Sequence, residues 1–319
     1  PPMAGQERFD HIVCVVGPTA SGKTRMAVEL ALALDGEVVS CDSMQIYRGM
    51  SIGTAKPTPE ETRGVLHHMI DVADPSEPFS AGKYVEMADA CVQDILSRGK
   101  TVILAGGTGL YIDSLIAGRS FAPVPSTGKR EALERQADER GIQPLLDELA
   151  RVDPESAARL HPSDRRRIIR ALEIYQETGE TITEHDRRTR LQPPKYRPAW
   201  LGMTFRDRAD LYERIDRRVE LMMQEGLADE VRALLDAGVP ETATAMQAIG
   251  YKELTDALRG GPLDEAVRLI QQRSRNYAKR QLTWFRRNPE IFWLEQTLPL
   301  DFSAVFESAL QHIPFFAEK

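Results

Sequence analysis

The chain has 319 residues, of which 42% are hydrophobic and 28% are charged, and its formal net charge is −7. These values are typical of a globular protein and exclude a disordered chain, a collagen-like repeat and a disulfide-dense miniprotein. No apolar run approaches the ~20 residues of a membrane-spanning helix, so we expect no membrane partner. Residues 1–10 lack the basic and apolar regions of a secretion signal, and the three cysteines lie far apart. We therefore expect reduced thiols and a cytoplasmic protein.

The first predicted element is a strand over residues 11–16, which are mostly apolar and β-branched. The loop Gly17–Thr24 follows it and matches the pattern G-x-x-x-x-G-K-T. An amphipathic helix comes next, and we expect Gly36 to end it as a C-terminal cap. Its apolar residues recur at helical spacing: Met26, Ala27, Leu30, Ala31 and Leu34.

Four further strands and one long helix follow along the chain. The helix spans Ser80–Arg98, with Ser80 as its N-cap. The strands are predicted at Glu37–Cys41, Thr101–Ala105, Trp200–Thr204 and Ile291–Leu294. Because strands alternate with helices, the pattern predicts a doubly wound α/β sheet.

A helical region interrupts this pattern between two proline-containing stretches that are typical of linkers, Phe121–Gly128 and Gln192–Pro198. Three helices are predicted there, over Lys129–Gly141, over Gln143–Val152, and over a segment with Ser163 as N-cap and Gly179 as stop. The C-terminal third, residues 207–287, is again mainly helical.

Gly17–Thr24 is the segment with the most specific chemistry. Its glycines let backbone N–H groups turn towards a phosphate, and the helix that begins there adds partial positive charge. Lys23 can neutralise phosphate oxygens, and the Thr24 hydroxyl can ligate Mg²⁺. We therefore predict an α/β fold with a P-loop NTPase-like parallel sheet core, formed by residues 1–122 and 199–319. We expect residues 123–198 to form an all-α inserted domain.

The residues of this loop alone do not identify its ligand. Most such loops bind ATP or GTP and place a Walker-B acid at the end of a second apolar strand. Here Thr101–Ala105 leads into Gly106-Gly107-Thr108-Gly109 without a carboxylate. The acid at a strand end is Asp42, a candidate metal ligand or general base, because ligands bind at the carboxyl ends of parallel strands. The alternative for Asp42 is a solvated turn residue.

Basic residues are concentrated in the second half of the chain. Residues 160–290 hold 24 Lys and Arg against 21 Asp and Glu, and residues 266–289 hold seven basic residues and no acidic one. Four arginines also start a predicted helix, whose dipole disfavours them there: Arg165, Arg166, Arg167 and Arg170. An acidic protein with such basic segments is expected to have a local anionic partner.

Eight segments of the chain resemble one family closely, the tRNA dimethylallyltransferases, also called tRNA isopentenyltransferases. The similarity covers about residues 11–294. The segments are GPTASGKT (17–24), DSMQIYRGMSIGTAKP (42–57), HHMIDV (67–72), AGGTGLY (105–111), HPSDRRRIIRALEIYQETG (161–179), RIDRRVELM (214–222), QAIGYKE (247–253) and YAKRQLTWFRR (277–287). Ser163 stands where members of the family often have asparagine, and both residues cap helices.

The resemblance implies a substrate and a reaction. The phosphate loop would accept the diphosphate of dimethylallyl diphosphate rather than a nucleoside triphosphate, which would explain the missing Walker-B acid. The enzyme would transfer a five-carbon prenyl group to N6 of adenosine 37, beside the tRNA anticodon, with Mg²⁺ as cofactor. We expect it to act as a monomer.

The resemblance also assigns roles around the loop. Asp42 is the expected general base, and Thr19 and Thr108 would orient it or the diphosphate. Either Arg214 or Arg217, which lie three residues apart on one helix face, would neutralise the leaving diphosphate, and for each the alternative is a surface ion pair. Diphosphate binding is expected from Gly17, Pro18, Thr19, Ala20, Ser21, Gly22, Lys23 and Thr24.

The target base must leave its stack to react, so several segments are expected to hold the tRNA. Trp284 and Phe285 are expected in the core rather than stacked on bases, and Gly250-Tyr251 has a helix joint as its alternative. The expected tRNA contacts are Asp42, Ser43, Met44, Gln45, Thr108, Arg166, Arg167, Ile168, Ile169, Arg170, Gln247, Ala248, Ile249, Gly250, Tyr251, Lys252, Lys279, Arg280, Gln281 and Arg286.

Three other functions fit parts of the sequence. An adenylate isopentenyltransferase acts on free AMP or ATP, but the insertion and the basic segment favour a larger anionic substrate. A small-molecule P-loop kinase requires ATP turnover, which the missing Walker-B acid disfavours. A non-catalytic RNA-binding ATPase module is the third alternative.

Overall fold

The computed structural model describes residues 8–119 and 125–316 of the chain. Its centre is a six-stranded sheet in which every pair of neighbours is parallel, in the order β3-β2-β4-β1-β5-β6. The strands are β1 Ile12–Val16, β2 Gly36–Ser40, β3 His67–His68, β4 Thr101–Gly106, β5 Ala199–Phe205 and β6 Phe292–Gln296. The α/β prediction with a parallel sheet is confirmed.

Helices cover both faces of this sheet. The helices of the described residues are α1 Lys23–Leu34, α2 Pro59–Thr62, α3 Ala81–Ser97, α4 Gly109–Ala117, α5 Lys129–Arg140, α6 Gln143–Val152, α7 Pro154–Ala158, α8 Arg165–Thr178, α9 Ile182–Arg190, α10 Arg208–Gln224, α11 Leu227–Asp236, α12 Tyr251–Leu258, α13 Leu263–Phe285 and α14 Phe302–Gln311, with a 3₁₀ helix at Thr244–Gln247. Of these, α5 to α9 do not belong to the sheet unit. None of these helices is long and apolar enough to cross a bilayer.

The central strand β1 shows why this sequence forms a sheet that is buried on both faces. All five of its residues are fully buried. Cys14 and Val16 pack with α3 and α4 in one apolar layer, whereas Val13 and Val15 pack with α1 and α14 in the other. A strand without a polar face is typical of parallel sheets that are covered by helices on both sides.

A third apolar cluster joins the segment after β2 to the C-terminal helices. Ile46, Tyr47 and Met50 pack with residues of α10 to α13, among them Val231 and Tyr251. The chain that follows Asp42 is therefore held by a helical layer of its own, which makes its conformation well defined.

The chain divides into two compact units, one formed by Pro1–Gly118 with Lys195–Lys319 and the other by Arg119–Pro194. The second unit contains α5 to α9 and, in its described residues, no strand. Its core consists of Leu133, Ala137, Leu145, Leu149, Ile168, Ile169, Ala171 and Leu172. Residues 121–124 of the predicted linker Phe121–Gly128 lie outside the described residues.

Two predicted helix caps are wrong by one residue. Asp35, not Gly36, ends α1, because Asp35 adopts the left-handed conformation and its N–H donates to the Ala31 carbonyl, while Gly36 already begins β2. Asp164, not Ser163, is the N-cap of α8. The Ser163 hydroxyl instead lies 2.8 Å from Nδ1 of His161. The predicted caps at Ser80 and Gly179 are confirmed.

Candidate active site

Three strand ends meet at one edge of the sheet and carry the polar residues of the candidate site. The phosphate loop follows β1, Asp42 follows β2, and Thr108 follows β4, which lies between them. Helix α1, which follows β1, packs on one face of the sheet, whereas α3 and α4, which precede and follow β4, pack on the other. Such a switch point is where parallel sheets bind ligands.

The phosphate loop has the conformation that anion binding requires. Gly17 (φ 147°) approaches β5 so closely that an added Cβ would lie 2.3 Å from the Met203 carbonyl oxygen. Ala20 and Gly22 both adopt positive φ angles, and α1 begins directly after Gly22. The backbone N–H groups of the loop and the helix N-terminus together form a cradle for phosphate.

Lys23 folds back over this cradle. Its Nζ donates to the carbonyl oxygens of Gly17 (2.9 Å) and Pro18 (2.7 Å). Burial, together with the positive charge of Arg218, lowers the pKa of the amine to about 7, although the charge of Asp42 acts in the opposite direction. Near neutral pH an arriving anion would therefore meet an amine that is only partly protonated, and its negative charge would favour the protonated form.

Asp42 is held in a tight turn by its own backbone. Its Oδ1 accepts from the N–H groups of Met44 (2.8 Å) and Gln45 (3.1 Å). Within residues 8–119 and 125–316, no hydrogen bond is made to Oδ2. Thr108 fixes the neighbouring residue, because its Oγ1 accepts from the Ser43 N–H (3.0 Å). One carboxylate oxygen is thus anchored and the other is available to a substrate.

The structure separates the two candidate arginines of α10. Arg214 donates from Nε to the Ala20 carbonyl oxygen in the phosphate loop (3.1 Å). The side chain of Arg217 is 76% exposed and pairs with Glu213. Arg218, which our sequence analysis did not single out, has the electrostatic position expected of Arg217, because its charge acts on both Lys23 and Asp42. The four-residue spacing of Arg214 and Arg218 on one helix face is the signal that was overlooked.

Two buried glutamines brace the phosphate loop, and neither was predicted to do so from the sequence. Oε1 of Gln281 accepts from the Thr19 N–H (2.9 Å), and its Nε2 donates to the Gly107 carbonyl oxygen (3.2 Å). Nε2 of Gln296 donates to the carbonyl oxygens of Ser21 (2.8 Å) and, in β5, Thr204 (3.3 Å). Both come from segments far away in the chain, so no local motif reveals them.

The loop that follows Asp42 is folded around two polar side chains. Gln45 accepts from the Ser40 hydroxyl (3.0 Å) and donates to the Thr54 carbonyl oxygen (3.1 Å). Glu230 in α11 accepts from the N–H groups of Ser51 (2.8 Å) and Ile52 (2.9 Å) and from the Tyr251 hydroxyl (2.6 Å). The loop is therefore pre-formed before any substrate binds.

The comparisons with known proteins identify the family. A family model described as IPP transferase matches residues 45–288. The chain belongs to this family. It is 50% identical over 291 residues to a tRNA dimethylallyltransferase of Geobacter metallireducens, covering 91% of this chain and 94% of that protein.

Solved structures agree with this membership. The tRNA isopentenylpyrophosphate transferase of Bacillus halodurans is 43% identical with a TM-score of 0.70, and 93% of each chain is covered. A eukaryotic dimethylallyltransferase acting on tRNA is 28% identical with a TM-score of 0.80, over 94% of this chain and 76% of that one. The resemblance stated from the sequence motifs is confirmed, and so is the fold class.

The residues that we predicted to contact tRNA differ in their exposure to solvent. The side chains of Ile168 and Ile169 lie in the apolar core of the second unit, and Tyr251 is fully buried. Ala248, Gly250 and Gln281 are also buried. We therefore withdraw the five side chains among these residues as RNA contacts, and Gly250 has no side chain to make one. Those that are exposed are Arg166, Arg167, Arg170, Gln247, Lys252, Lys279, Arg280 and Arg286.

The arginines at the start of α8 differ in their partners. Arg165 pairs with Glu134 (2.9 Å) and Asp138 (2.7 Å), so a protein partner explains it. In the described part of the chain, Arg166 and Arg167 form no ion pair. The second unit also has a cavity of about 600 Å³, lined by Arg130, Ser156, Arg159, Leu160, Arg166, Arg167, Arg170, Ala171, Ile182 and Asp186.

The two aromatic residues at the end of α13 belong to the core, as expected. Phe285 is fully buried, and Trp284 packs against the same apolar cluster while its Nε1 donates to Asp113 (2.8 Å).

Mg²⁺ would have few protein ligands in this family member. No group of three or more His, Cys, Asp or Glu side chains in the described ranges could hold a metal ion. The Thr24 hydroxyl makes no hydrogen bond to the described residues. One hydroxyl suits Mg²⁺, which keeps several waters and binds substrate phosphates rather than an all-protein cage.

Proposed function

We propose that this IPP transferase moves the dimethylallyl group of dimethylallyl diphosphate to N6 of adenosine 37 in tRNA and releases diphosphate. One observation carries the proposal: a phosphate loop without a Walker-B acid faces a carboxylate, Asp42, whose Oδ2 is unengaged among the described residues. Such a pair supplies an anion site for the leaving group and a proton acceptor for the nucleophile.

The leaving diphosphate is stabilised by groups that are positioned in advance. The phosphate loop and the N-terminus of α1 form the cradle, Lys23 contributes a charge, and Arg214 and Arg218 add two more from α10. Donors that are fixed where negative charge develops lower the barrier without reorganising during the reaction. Mg²⁺ held by Thr24 would neutralise part of the same charge.

Asp42 activates the acceptor. The exocyclic amine of adenine is a weak nucleophile because its lone pair is delocalised into the ring. As N6 bonds to the first carbon of the prenyl group and the carbon–oxygen bond to diphosphate breaks, Oδ2 of Asp42 takes the N6 proton. Thr19 and Thr108 keep the two loops in place.

The tRNA is held by the exposed basic residues on both units. On α13 these are Lys279, Arg280 and Arg286, and on the second unit they are the arginines that line the cavity. Basic side chains bind the phosphates of an RNA loop, and an extruded base can then enter the site. Ser43 and Met44 lie beside Asp42 and would contact that base. We further propose that the protein acts as a monomer, since one chain supplies all of these groups, and that it is cytoplasmic, which its reduced thiols Cys14, Cys41 and Cys91 support.

Isotopically labelled dimethylallyl diphosphate distinguishes this function from its alternatives. The protein is incubated separately with unmodified tRNA, AMP and ATP. We expect label on tRNA alone, at the adenosine beside the anticodon. Label on AMP or ATP would select an adenylate isopentenyltransferase. ATP hydrolysis or phosphoryl transfer without label transfer would select a kinase or an ATPase module.

A further inference from the structure

Gln281 occupies an unusual position on the basic helix α13. It directly follows the exposed residues Lys279 and Arg280, yet it is only 6% exposed. Its amide joins two loops, because the Thr19 N–H donates to Oε1 and Nε2 donates to the Gly107 carbonyl oxygen. Both ends of the side chain are therefore used inside the site, and none is left for RNA.

The contact with Gly107 is too close to be incidental. A Cβ added at Gly107 would lie 2.1 Å from Nε2 of Gln281 and 3.3 Å from the Gly17 carbonyl oxygen. Any side chain at position 107 would therefore displace the Gln281 amide from its contact with this loop. The next residue, Thr108, accepts from the Ser43 N–H (3.0 Å). Ser43 is covalently adjacent to Asp42.

Tyr277 supports the same junction from one helical turn earlier. Thr108 and Gln281 both act on its hydroxyl by lowering its pKa. Burial raises the pKa of this hydroxyl to about 12, with the charge of Asp42 as the second cause. A continuous path of polar contacts thus runs from the phosphate loop through Gln281 to the segment that carries the base.

We propose that Gln281 is a positioning residue that holds the phosphate loop in register with Asp42, an inference that rests on the proposed function. During transfer, N6 bonds to the prenyl carbon, that carbon loses diphosphate and Asp42 receives the proton. These events require the leaving-group site and the base to keep a fixed separation. A misplacement of about 1 Å between reacting groups costs on the order of 100-fold in rate.

Gln281→Met tests this role because it fills the same space without joining the loops. Gln296→Met is the matched control, since Gln296 is an equally buried glutamine that braces the Ser21 carbonyl but does not touch Gly107 or Thr108. For Gln281→Met we expect the single-turnover rate at saturating donor and anticodon stem-loop to fall at least about tenfold. Affinities for both substrates should stay within about threefold. For Gln296→Met, we expect weaker donor binding as the main effect.

A double-mutant cycle separates positioning from general stability. Because Gln281 acts through Gly107 and Thr108, its rate effect should be non-additive with Thr108→Val, whereas that of Gln296 should add. A Gln281→Met rate within about twofold of the wild type, or additive losses in the cycle, would overturn the proposal.

If Gln281→Met does not fold, Gln281→Asn replaces it, because the shorter side chain keeps the amide but cannot span both loops. The same expected loss and the same contrary results apply to it. Prenyl transfer by the wild-type protein is measured first. If the wild type transfers nothing, the proposed function itself is refuted. The effect of a Gln281 variant is interpreted only if the wild type is active.

Discussion

At the scale of single residues, the candidate site is built around Lys23, which has no carboxylate partner among the described residues. Lys23 contacts two carbonyl oxygens and forms no ion pair with the described residues. Its pKa of about 7, which burial causes, means that much of its charge is absent above neutral pH. A bound diphosphate favours the charged amine and raises its pKa again.

This difference predicts that diphosphate binding takes up a proton. The pKa of Lys23 is about 7 in the free protein and higher in the complex. At a pH between these two values, Lys23 takes up on the order of one proton when diphosphate binds. Affinity for inorganic diphosphate should therefore fall as pH rises above 7. Calorimetric titration at pH 8 in buffers of different ionisation enthalpy measures the uptake.

Lys23→Arg is the control for this measurement, because a guanidinium stays charged across the same range. It should bind diphosphate with much less proton uptake, and the titration of diphosphate itself cancels in the comparison. Equal uptake by the two proteins would show that Lys23 is not the titrating group.

Asp42→Asn is predicted to remove the chemical step while the site is kept. The amide can still accept from Met44 and Gln45, so the turn should persist. Loss of a general base lowers the rate by about 10²- to 10⁴-fold. Rapid-quench single-turnover assays should show this loss with donor and stem-loop affinities nearly unchanged. A rate close to that of the wild type would exclude Asp42 as the base.

The site residues that could be predicted from the sequence are those that belong to a short, contiguous sequence pattern. Gly17–Thr24 is contiguous, and Asp42 directly follows the end of a strand. Gln281 meets Thr19 across 262 residues of sequence, and Gln296 meets Ser21 across 275. Such partners are selected by tertiary packing, which leaves no periodicity to detect.

At the scale of elements, apolar runs predicted the longer strands well because burial on both faces demands them. β1, β4 and β5 lie within a residue or two of their predicted ends. β3 was missed because it has only two residues, His67 and His68, too few for any pattern. The caps at Asp35 and Asp164 were missed by one residue, since they depend on backbone geometry rather than residue type.

One charged residue within strand β2 should make the fold sensitive to acid. Glu37 is 2% exposed and accepts from Arg98 through both carboxylate oxygens and from His68. Hydrogen bonds from Arg98, more than any other cause, lower the pKa of Glu37 from 4.5 to about 2. Because the folded pKa is below the unfolded one, this stabilisation is complete above pH 4.5 and is lost as pH falls towards 2.

Glu37→Gln should lose this contribution. We expect the free energy of unfolding at pH 7 to fall by about 2 kcal/mol, after allowance for the partly exposed Arg98. The deficit should shrink between pH 4.5 and pH 2, as urea unfolding at each pH would show. Glu29→Gln, which breaks the surface pair with Arg63, should cost less than about 1 kcal/mol. A deficit that does not change with pH would contradict the assignment.

At the scale of the whole molecule, the chain is acidic but carries exposed arginines in its second unit, and we propose that they bind tRNA. Arg166 and Arg167 line the cavity of the second unit and form no ion pair with described residues. Arg187 and Arg188 in the same unit are also exposed but pair with Glu155 and Glu180. Arginines without a protein counter-ion are the better candidates for phosphate contacts.

The double variant Arg166→Ala/Arg167→Ala should therefore bind an anticodon stem-loop at least about tenfold more weakly. The slope of its logarithmic affinity against logarithmic salt concentration should become shallower by about one for each phosphate that is no longer neutralised. Fluorescence anisotropy at several salt concentrations measures both. Arg187→Ala/Arg188→Ala is the matched control, with an expected reduction in affinity below about threefold. Equal reductions in the two double variants would mean that only net charge matters.

The central claim is that the phosphate loop binds the diphosphate of a prenyl donor beside the base Asp42. A crystal structure of the protein grown with both ATP and a non-reactive thio analogue of dimethylallyl diphosphate tests it most directly. We predict the two phosphates of the analogue in the loop of residues 17–24, with its first carbon facing Oδ2 of Asp42. A triphosphate in that loop, with a metal ion on Asp42, would contradict the account.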